Sequence, residues 1–101
     1  ERAIAAAQGA YGAFAAMSLM DRVGLLWKLH DALMDNQKSL AELLTVEMGK
    51  PMAEAMGEIG IGAQYVRWFA EEVRRAKGEI VPAPTNGRRF LVTNHPVGVV
   101  G

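Results

Sequence analysis

The chain has 101 residues, of which 50% are hydrophobic and 22% charged, and its formal net charge is zero. This composition is typical of a compact globular domain, and the balanced charge excludes the basic field that attracts nucleic acid. The absence of cysteine excludes disulfides, thiolate metal sites and a thiol nucleophile within the chain. The longest apolar runs are too short to span a bilayer. We therefore expect no nucleic-acid or membrane partner and a cytoplasmic location.

The first predicted helix runs from Arg2 to Ala16. Its apolar residues recur at alternating three- and four-residue spacing, which is typical of one helical face. The residues of this face are Ile4, Ala7, Tyr11 and Phe14.

A second helix is predicted to begin after Ser18 and to reach Asn36. Ser18 and Asp21 have the spacing of a capping box. In this motif the side chain of the first residue caps the helix, and the side chain of the third helical residue bonds back to the first residue. Its apolar face comprises Val23, Leu26, His30 and Leu33.

The third predicted helix runs from Lys38 to Met48. Gly49 follows at the position where a left-handed residue commonly ends a helix, and Pro51 prevents the helix from continuing. The residues that we expect this helix to bury are Leu40, Leu43, Leu44 and Met48.

The fourth predicted helix, from Met52 to Lys77, carries two apolar faces. A core of three short helices needs only one of them, so the second face requires another partner. This partner is either the remainder of the polypeptide or a ligand channel. The first face contains Met52, Met56, Ile59, Ala63, Val66, Ala70 and Val73, and the second contains Ile61, Tyr65 and Trp68.

Extended chain is predicted after Gly78, which we interpret as the residue that stops the fourth helix. Residues 82–87 are typical of a turn, and residues 88–94 alternate as a strand does. Residues 96–101 form an apolar run that indicates the start of a buried strand. The predicted fold class is therefore mainly α, with about four helices and one or two terminal strands. Both ends interrupt a pattern, so we expect the chain to be a piece of a longer polypeptide.

Gly60-Ile61-Gly62 has the spacing of a phosphate-binding GxG, but it falls inside the fourth predicted helix. Phosphate binding needs the glycines at a strand-to-helix turn, where amide groups are free. We interpret both glycines as packing positions.

Candidate metal ligands are sparse. Glu54 and Glu58 lie one helical turn apart, but two isolated carboxylates usually form a solvated face, and no histidine joins them at ligand spacing. His30 is interpreted as a satisfied core or boundary histidine and His95 as a loop residue. No metal site is predicted.

Several short motifs follow one another in a recognisable order. They are Glu47-Met48-Gly49-Lys50-Pro51, Glu54-Ala55, Glu58-Ile59, Trp68-Phe69-Ala70-Glu71-Glu72, Gly78, Val81-Pro82 and Pro96-Val97-Gly98-Val99-Val100. This order resembles the N-terminal quarter of the aldehyde dehydrogenase superfamily, and residues 58–72 most resemble its succinate-semialdehyde dehydrogenase branch.

The resemblance implies a fragment of a larger α/β Rossmann-like fold. Residues 1–78 would be the helical N-terminal part of the cofactor-binding domain. Residues 79–101 would be a turn and strand of the interdomain and oligomerisation region, leading into the first strand of the cofactor domain. The implied partners are the remainder of the polypeptide, a small aldehyde and further copies of the same chain.

The resemblance also implies NAD- or NADP-dependent oxidation of an aldehyde, with succinate semialdehyde as the expected substrate. In that family a cysteine thiolate forms a thiohemiacetal and then a thioester, and a glutamate-activated water releases the acid. The catalytic and cofactor-binding residues lie outside this chain, so none is assigned here. We expect the chain alone to be inactive and to bind neither cofactor.

The one site prediction concerns Ile61 and Tyr65. The corresponding helix of similar family members flanks the aldehyde entry tunnel, which implies that the two side chains form part of the tunnel wall. Packing against the rest of the protein is the competing interpretation. An alternative function is a free-standing helical-bundle interaction module that uses Ile61, Tyr65 and Trp68, and a catalytically dead homologue is a third possibility.

Overall fold

The computed structural model describes residues 1–101 as four α-helices followed by a β-hairpin. The mainly α fold predicted from the sequence is confirmed. The elements are α1 (Arg2–Ala16), α2 (Leu19–Asp35), α3 (Gln37–Met48), α4 (Met52–Glu72), a 3₁₀ turn (Val73–Arg75), β1 (Glu79–Pro82) and β2 (Arg89–Val92).

Local capping chemistry sets two of the helix boundaries. The Ser18 hydroxyl oxygen accepts a hydrogen bond of 3.1 Å from the Asp21 amide and donates one of 2.7 Å to the Asp21 carboxylate. At the end of α3, Gly49 has a φ of 76° and its amide donates to the Thr45 carbonyl at 2.9 Å. Both predicted caps are confirmed, because each depends only on residues within a few positions of the boundary.

The core lies where α2 and α3 pack against α4. Four of the five buried residues are alanines, and all four are fully buried. Small side chains at this position let the helix backbones approach closely. The fifth buried residue is Val23 of α2, and the other large apolar residues between these helices are half-buried. We call these residues the alanine seam: Ala41, Ala55, Ala63 and Ala70.

Helix α1 covers its predicted residues but contributes none to the core. Its apolar face is 65% exposed at Ile4 and 37% exposed at Phe14. One long-range contact holds its middle, where the Tyr11 hydroxyl donates to the Pro96 carbonyl at 3.4 Å. The molecule is consequently elongated, with a longest dimension of 63 Å.

The end of α4 differs from the prediction. The helix ends at Glu72 instead of Lys77 and tightens into a 3₁₀ turn, as helix C-termini often do. Gly78 lies beyond both and does not stop the helix. A Cβ atom at Gly78 would stand only 2.4 Å from the Val92 carbonyl oxygen, so this glycine allows the backbone to pass close to the end of β2.

The hairpin also corrects the prediction in part. Strand β2 lies within the predicted residues 88–94, and β1 lies mostly in the residues after Gly78 for which the sequence predicts only extended chain. The strands are antiparallel, with Ile80 opposite Leu91 and Val81 opposite Phe90. Pro82, where the predicted turn begins, can still be the last residue of β1, because proline is tolerated in a strand at the edge of a sheet.

The start of a strand that the sequence predicts at residues 96–101 is not formed in this chain. The segment has no regular secondary structure, and Val97 is 91% exposed. A strand is defined by hydrogen bonds to a neighbouring strand, and no described strand lies beside this segment. Its apolar composition alone therefore does not produce a strand.

The two glycines of the GxG segment have different surroundings. A Cβ atom at Gly60 would lie 3.3 Å from Nε2 of Gln37, whose amide donates to the Met56 carbonyl at 2.9 Å. No such contact exists at Gly62. The packing interpretation is therefore confirmed for Gly60 and wrong for Gly62.

Replacing Gly62 by alanine is expected to raise the free energy of unfolding of the chain by about 1 kcal/mol. The new methyl group meets no atom, and alanine favours a helix over glycine by about this amount. Urea denaturation followed by circular dichroism measures the change. Gly60→Ala is the matched control and should gain less, because Gln37 must move. Equal gains for the two variants would contradict the packing role of Gly60.

Candidate functional site: an exposed apolar face of α4

Helix α4 presents a large apolar surface on the side opposite the alanine seam. Ile61, Tyr65 and Trp68 are 61%, 63% and 64% exposed. Exposed apolar surface of this kind marks a site of interaction with a ligand or another part of a protein. The predicted second face of the helix is therefore confirmed.

The structure extends this surface beyond the predicted residues. Phe69 is 58% exposed and continues the i, i+4 series of Ile61 and Tyr65, a signal that was present in the sequence. The surface forms a shallow groove of about 560 Å³. We call it the α4 groove, and it is lined by Gly57, Gly60, Ile61, Gln64, Tyr65, Trp68 and Phe69.

The chemistry of the α4 groove is almost entirely apolar. Its polar side-chain groups are the Gln64 amide, the Tyr65 hydroxyl and the Trp68 indole N–H, and no charged residue lines it. Such a surface can bind aliphatic or aromatic groups and orient them with a few hydrogen bonds. The groove contains no serine, cysteine, histidine or carboxylate that could act as a nucleophile or general base. It also contains no charged side chain that could pair with an ionic ligand.

Contacts between α2 and α4 hold the helix that carries the groove. The Arg67 guanidinium carbon lies 5.4 Å from the Trp27 ring centroid, within the range of a cation–π interaction. Trp27 in turn meets the His30 ring edge-on at 5.5 Å. Arg67 also pairs with Glu71 one turn along the helix, at 3.7 Å. Of these three contacts, only the one between Arg67 and Trp27 joins α4 to α2.

The interpretation of His30 is confirmed only in part. Its side chain is 14% exposed and its Nδ1 lies 2.9 Å from the Asp31 carboxylate. The other ring nitrogen, Nε2, is buried and has no hydrogen-bond partner. His30 is thus a boundary residue, and only one of its two ring nitrogens has a hydrogen-bond partner in the protein.

Of the two carboxylates that could resemble a metal pair, Glu54 and Glu58, the second has a structural role. Glu58 forms an ion pair with Lys50, which ties the start of α4 to the end of α3. No group of three histidine, cysteine, aspartate or glutamate side chains is placed to hold a metal ion. His95 lies in the loop after β2, as predicted, with Nε2 2.9 Å from the Thr93 hydroxyl.

The residues of the GxG segment do not fit a nucleotide phosphate. Gly60 and Gly62 lie in the middle of α4, where the backbone amides form the helix itself. A phosphate needs amides that point out of a helix N-terminus.

None of the helices of the structure is both long and apolar enough to cross a membrane.

Comparison with known proteins identifies the chain. The family model described as the aldehyde dehydrogenase family matches residues 1–101. The chain is 43% identical over 99 residues to 3-sulfolactaldehyde dehydrogenase of Pseudomonas putida, covering 98% of this chain and 20% of that protein. It is 41% identical over 99 residues to a probable succinate-semialdehyde dehydrogenase [NADP(+)] of Sinorhizobium fredii, again covering 98% of this chain and 20% of the relative.

A solved structure agrees with the sequence matches. Succinate-semialdehyde dehydrogenase from Burkholderia pseudomallei superposes with a TM-score of 0.76 and 40% identity, over 89% of this chain and 19% of that one. The chain therefore spans about 20% of the length of the curated relatives it matches. Since the family model matches every residue, the chain belongs to the aldehyde dehydrogenase family.

Proposed function

We propose that the chain is the N-terminal part of an NAD(P)-dependent dehydrogenase that oxidises a short aldehyde carrying an acidic group. The observation that carries this proposal is the identity of 41–43% over almost the whole chain to dehydrogenases named for such compounds. Succinate semialdehyde and 3-sulfolactaldehyde each have an aldehyde at one end and a carboxylate or sulfonate at the other. Succinate semialdehyde is the first choice of substrate.

The same proposal assigns parts of the chain to the larger protein. Residues 1–78 belong to the cofactor-binding domain, and residues 79–101 belong to the interdomain and oligomerisation region. A cytoplasmic homo-oligomer is part of the proposal. The free-standing interaction module that would use Ile61, Tyr65 and Trp68 is not favoured, because the family match extends over the entire chain.

The chemistry of the reaction is proposed to lie outside this chain. The family reaction requires a cysteine thiolate, and the chain contains no cysteine. When bound, the nicotinamide cofactor would accept the hydride, but the GxG segment does not fit its phosphates. What the chain can contribute is the α4 groove, which we assign to the wall of the aldehyde entry tunnel.

The composition of the α4 groove suits it to bind one part of such a substrate and not the other. Ile61 and Tyr65 offer apolar contact to the carbon skeleton of the aldehyde. No charged residue lines the groove, so it cannot neutralise the carboxylate or sulfonate of the substrate. The cation that does so has to come from another part of the protein.

Steady-state kinetics on the intact protein test the proposal. Succinate semialdehyde, glutarate semialdehyde and 3-sulfolactaldehyde are each supplied with NAD or NADP, and the reduced cofactor is followed by its absorbance. We expect a higher kcat/KM for succinate semialdehyde than for butanal, the uncharged aldehyde of the same length. Oxidation of butanal alone would refute the substrate class, and no oxidation of any aldehyde would refute the activity.

Tyr65→Ala is expected to change the relative kcat/KM values for aldehydes of different length. In an apolar pocket, a difference of one methylene between two substrates changes discrimination by about 1–3 kcal/mol, or about 10- to 200-fold, and removing the Tyr65 ring should change this preference. The KM for the cofactor should stay nearly unchanged, because the groove has no cofactor-binding chemistry.

Val46→Ala is the matched control for Tyr65→Ala. Val46 is an exposed apolar residue on α3 and does not line the groove, so its removal should leave discrimination unchanged. A uniform loss of activity on all aldehydes in Tyr65→Ala, together with a lower melting temperature, would show that Tyr65 only packs against the rest of the protein.

A further inference from the structure

The turn that joins β1 to β2 contains the pair Asn86-Gly87 at its exposed tip. The chain has three asparagines, and Asn86 is the one followed by glycine. Gly87 has a φ of 81°, in the left-handed region that glycine adopts without strain. The turn thus places a side-chain amide next to a backbone amide that lacks the shielding of a Cβ atom.

The other two asparagines are held by hydrogen bonds, and Asn86 is not. Asn36 donates through Nδ2 to the Ala32 carbonyl at 2.8 Å, and Asn94 donates to the Lys77 carbonyl at 2.8 Å. Neither the Asn86 side chain nor the Gly87 amide takes part in any hydrogen bond of the structure.

The space around the turn is open as well. A Cβ atom built at Gly87 would have no neighbour within 4 Å, so no packed group restrains the backbone there. Exposed turn tips with small and polar residues are also the parts of a domain where the backbone moves most readily. The Gly87 nitrogen is therefore free to approach the Asn86 side chain.

We propose that Asn86 is a site of spontaneous deamidation. Hydroxide removes the proton of the Gly87 amide, and the nitrogen attacks Cγ of Asn86. A Cγ–N bond forms, the Cγ–Nδ2 bond breaks, and Nδ2 leaves as ammonia with a proton from water. The cyclic imide that results is opened by one water molecule at either of its two carbonyl carbons, giving aspartate or isoaspartate. Water is the only reactant consumed, and no oxidation or reduction occurs.

The product changes both the charge and the length of the turn. A neutral amide becomes a carboxylate beside Arg88 and Arg89, which lowers the net charge of the chain by one. In the isoaspartate product the backbone runs through the side-chain carbon, which adds one backbone atom between β1 and β2. The residues of the strands are not altered chemically.

The reaction is tested on the intact protein incubated at mildly alkaline pH and analysed by proteolysis and tandem mass spectrometry. We expect the amide of Asn86 to be lost while the amides of Asn36 and Asn94 remain, at a rate that rises with pH. The product should co-elute on ion exchange with the Asn86→Asp variant. Asn86→Gln is the matched control and should stay unmodified, because its longer side chain disfavours ring closure.

Two outcomes would overturn the proposal. One is conversion of Asn86 no faster than that of Asn94 in the folded protein. The other is conversion of Asn86 only after unfolding in urea, since this would mean that the folded turn protects the residue.

Discussion

Replacing Gly78 by alanine is expected to lower the free energy of unfolding by about 1–3 kcal/mol, the range for inserting a group into a filled site. The added Cβ would lie 2.4 Å from the Val92 carbonyl oxygen and 3.8 Å from the Thr93 Cα. These are backbone atoms, so they cannot rotate away as the end of a side chain can. The end of β2 must shift away from the residue that precedes β1, which also strains the Asn94 side-chain bond to the Lys77 carbonyl.

Urea denaturation of the Gly78→Ala variant measures this loss. Gly57→Ala is the matched control, since a Cβ at Gly57 meets no atom within 4 Å and lies in a helix. The control should be stabilised slightly by its helix propensity. Equal stability of the two variants would mean that the close approach between Gly78 and Val92 does not exist in solution.

Leu91→Pro is expected to abolish self-association through the hairpin, which we propose as part of the oligomerisation region. A two-stranded hairpin is marginally stable alone, and both of its edges are open to a further strand. The pairs Ile80–Leu91 and Val81–Phe90 alternate between the two faces, so both faces carry exposed apolar residues. Proline removes a backbone donor from β2 and cannot take part in such a ladder.

Sedimentation velocity over a range of concentrations tests the hairpin as an interface. Leu91→Thr is the matched control, because it keeps the backbone donor and the strand preference while it removes apolar contact. Association that survives in Leu91→Thr but not in Leu91→Pro would identify the backbone edge as the interface. A strict monomer before any substitution, or association that persists in Leu91→Pro, would refute the proposal.

The helices were predictable because their boundaries are set by neighbouring residues. Ser18 caps α2 through Asp21, and Gly49 ends α3 in a left-handed conformation, so the sequence contained all the information needed. The end of α4 and the existence of β1 depend instead on residues far along the chain. Gly78 contacts Val92, and β1 exists only because β2 lies beside it.

The position of the candidate site on α4 was predictable from the sequence, but its role was not. The period of α4 places Ile61, Tyr65 and Trp68 on a face that the other helices leave open, and the structure agrees. The role of Ile61 and Tyr65 as a tunnel wall remains a prediction, because a face acquires a function only from the group that binds to it. Phe69 was missed although its spacing indicated it.

At the alanine seam, substitutions that enlarge a side chain are more damaging than substitutions that shorten it. At most positions of a protein core the damaging change is a loss of volume, which leaves a cavity. Ala41, Ala55, Ala63 and Ala70 have only one carbon to lose, so truncation there opens almost no space. Any larger residue has to separate two helices whose backbones are already close. Substitutions in the alanine seam are therefore tolerated only when they do not enlarge the side chain.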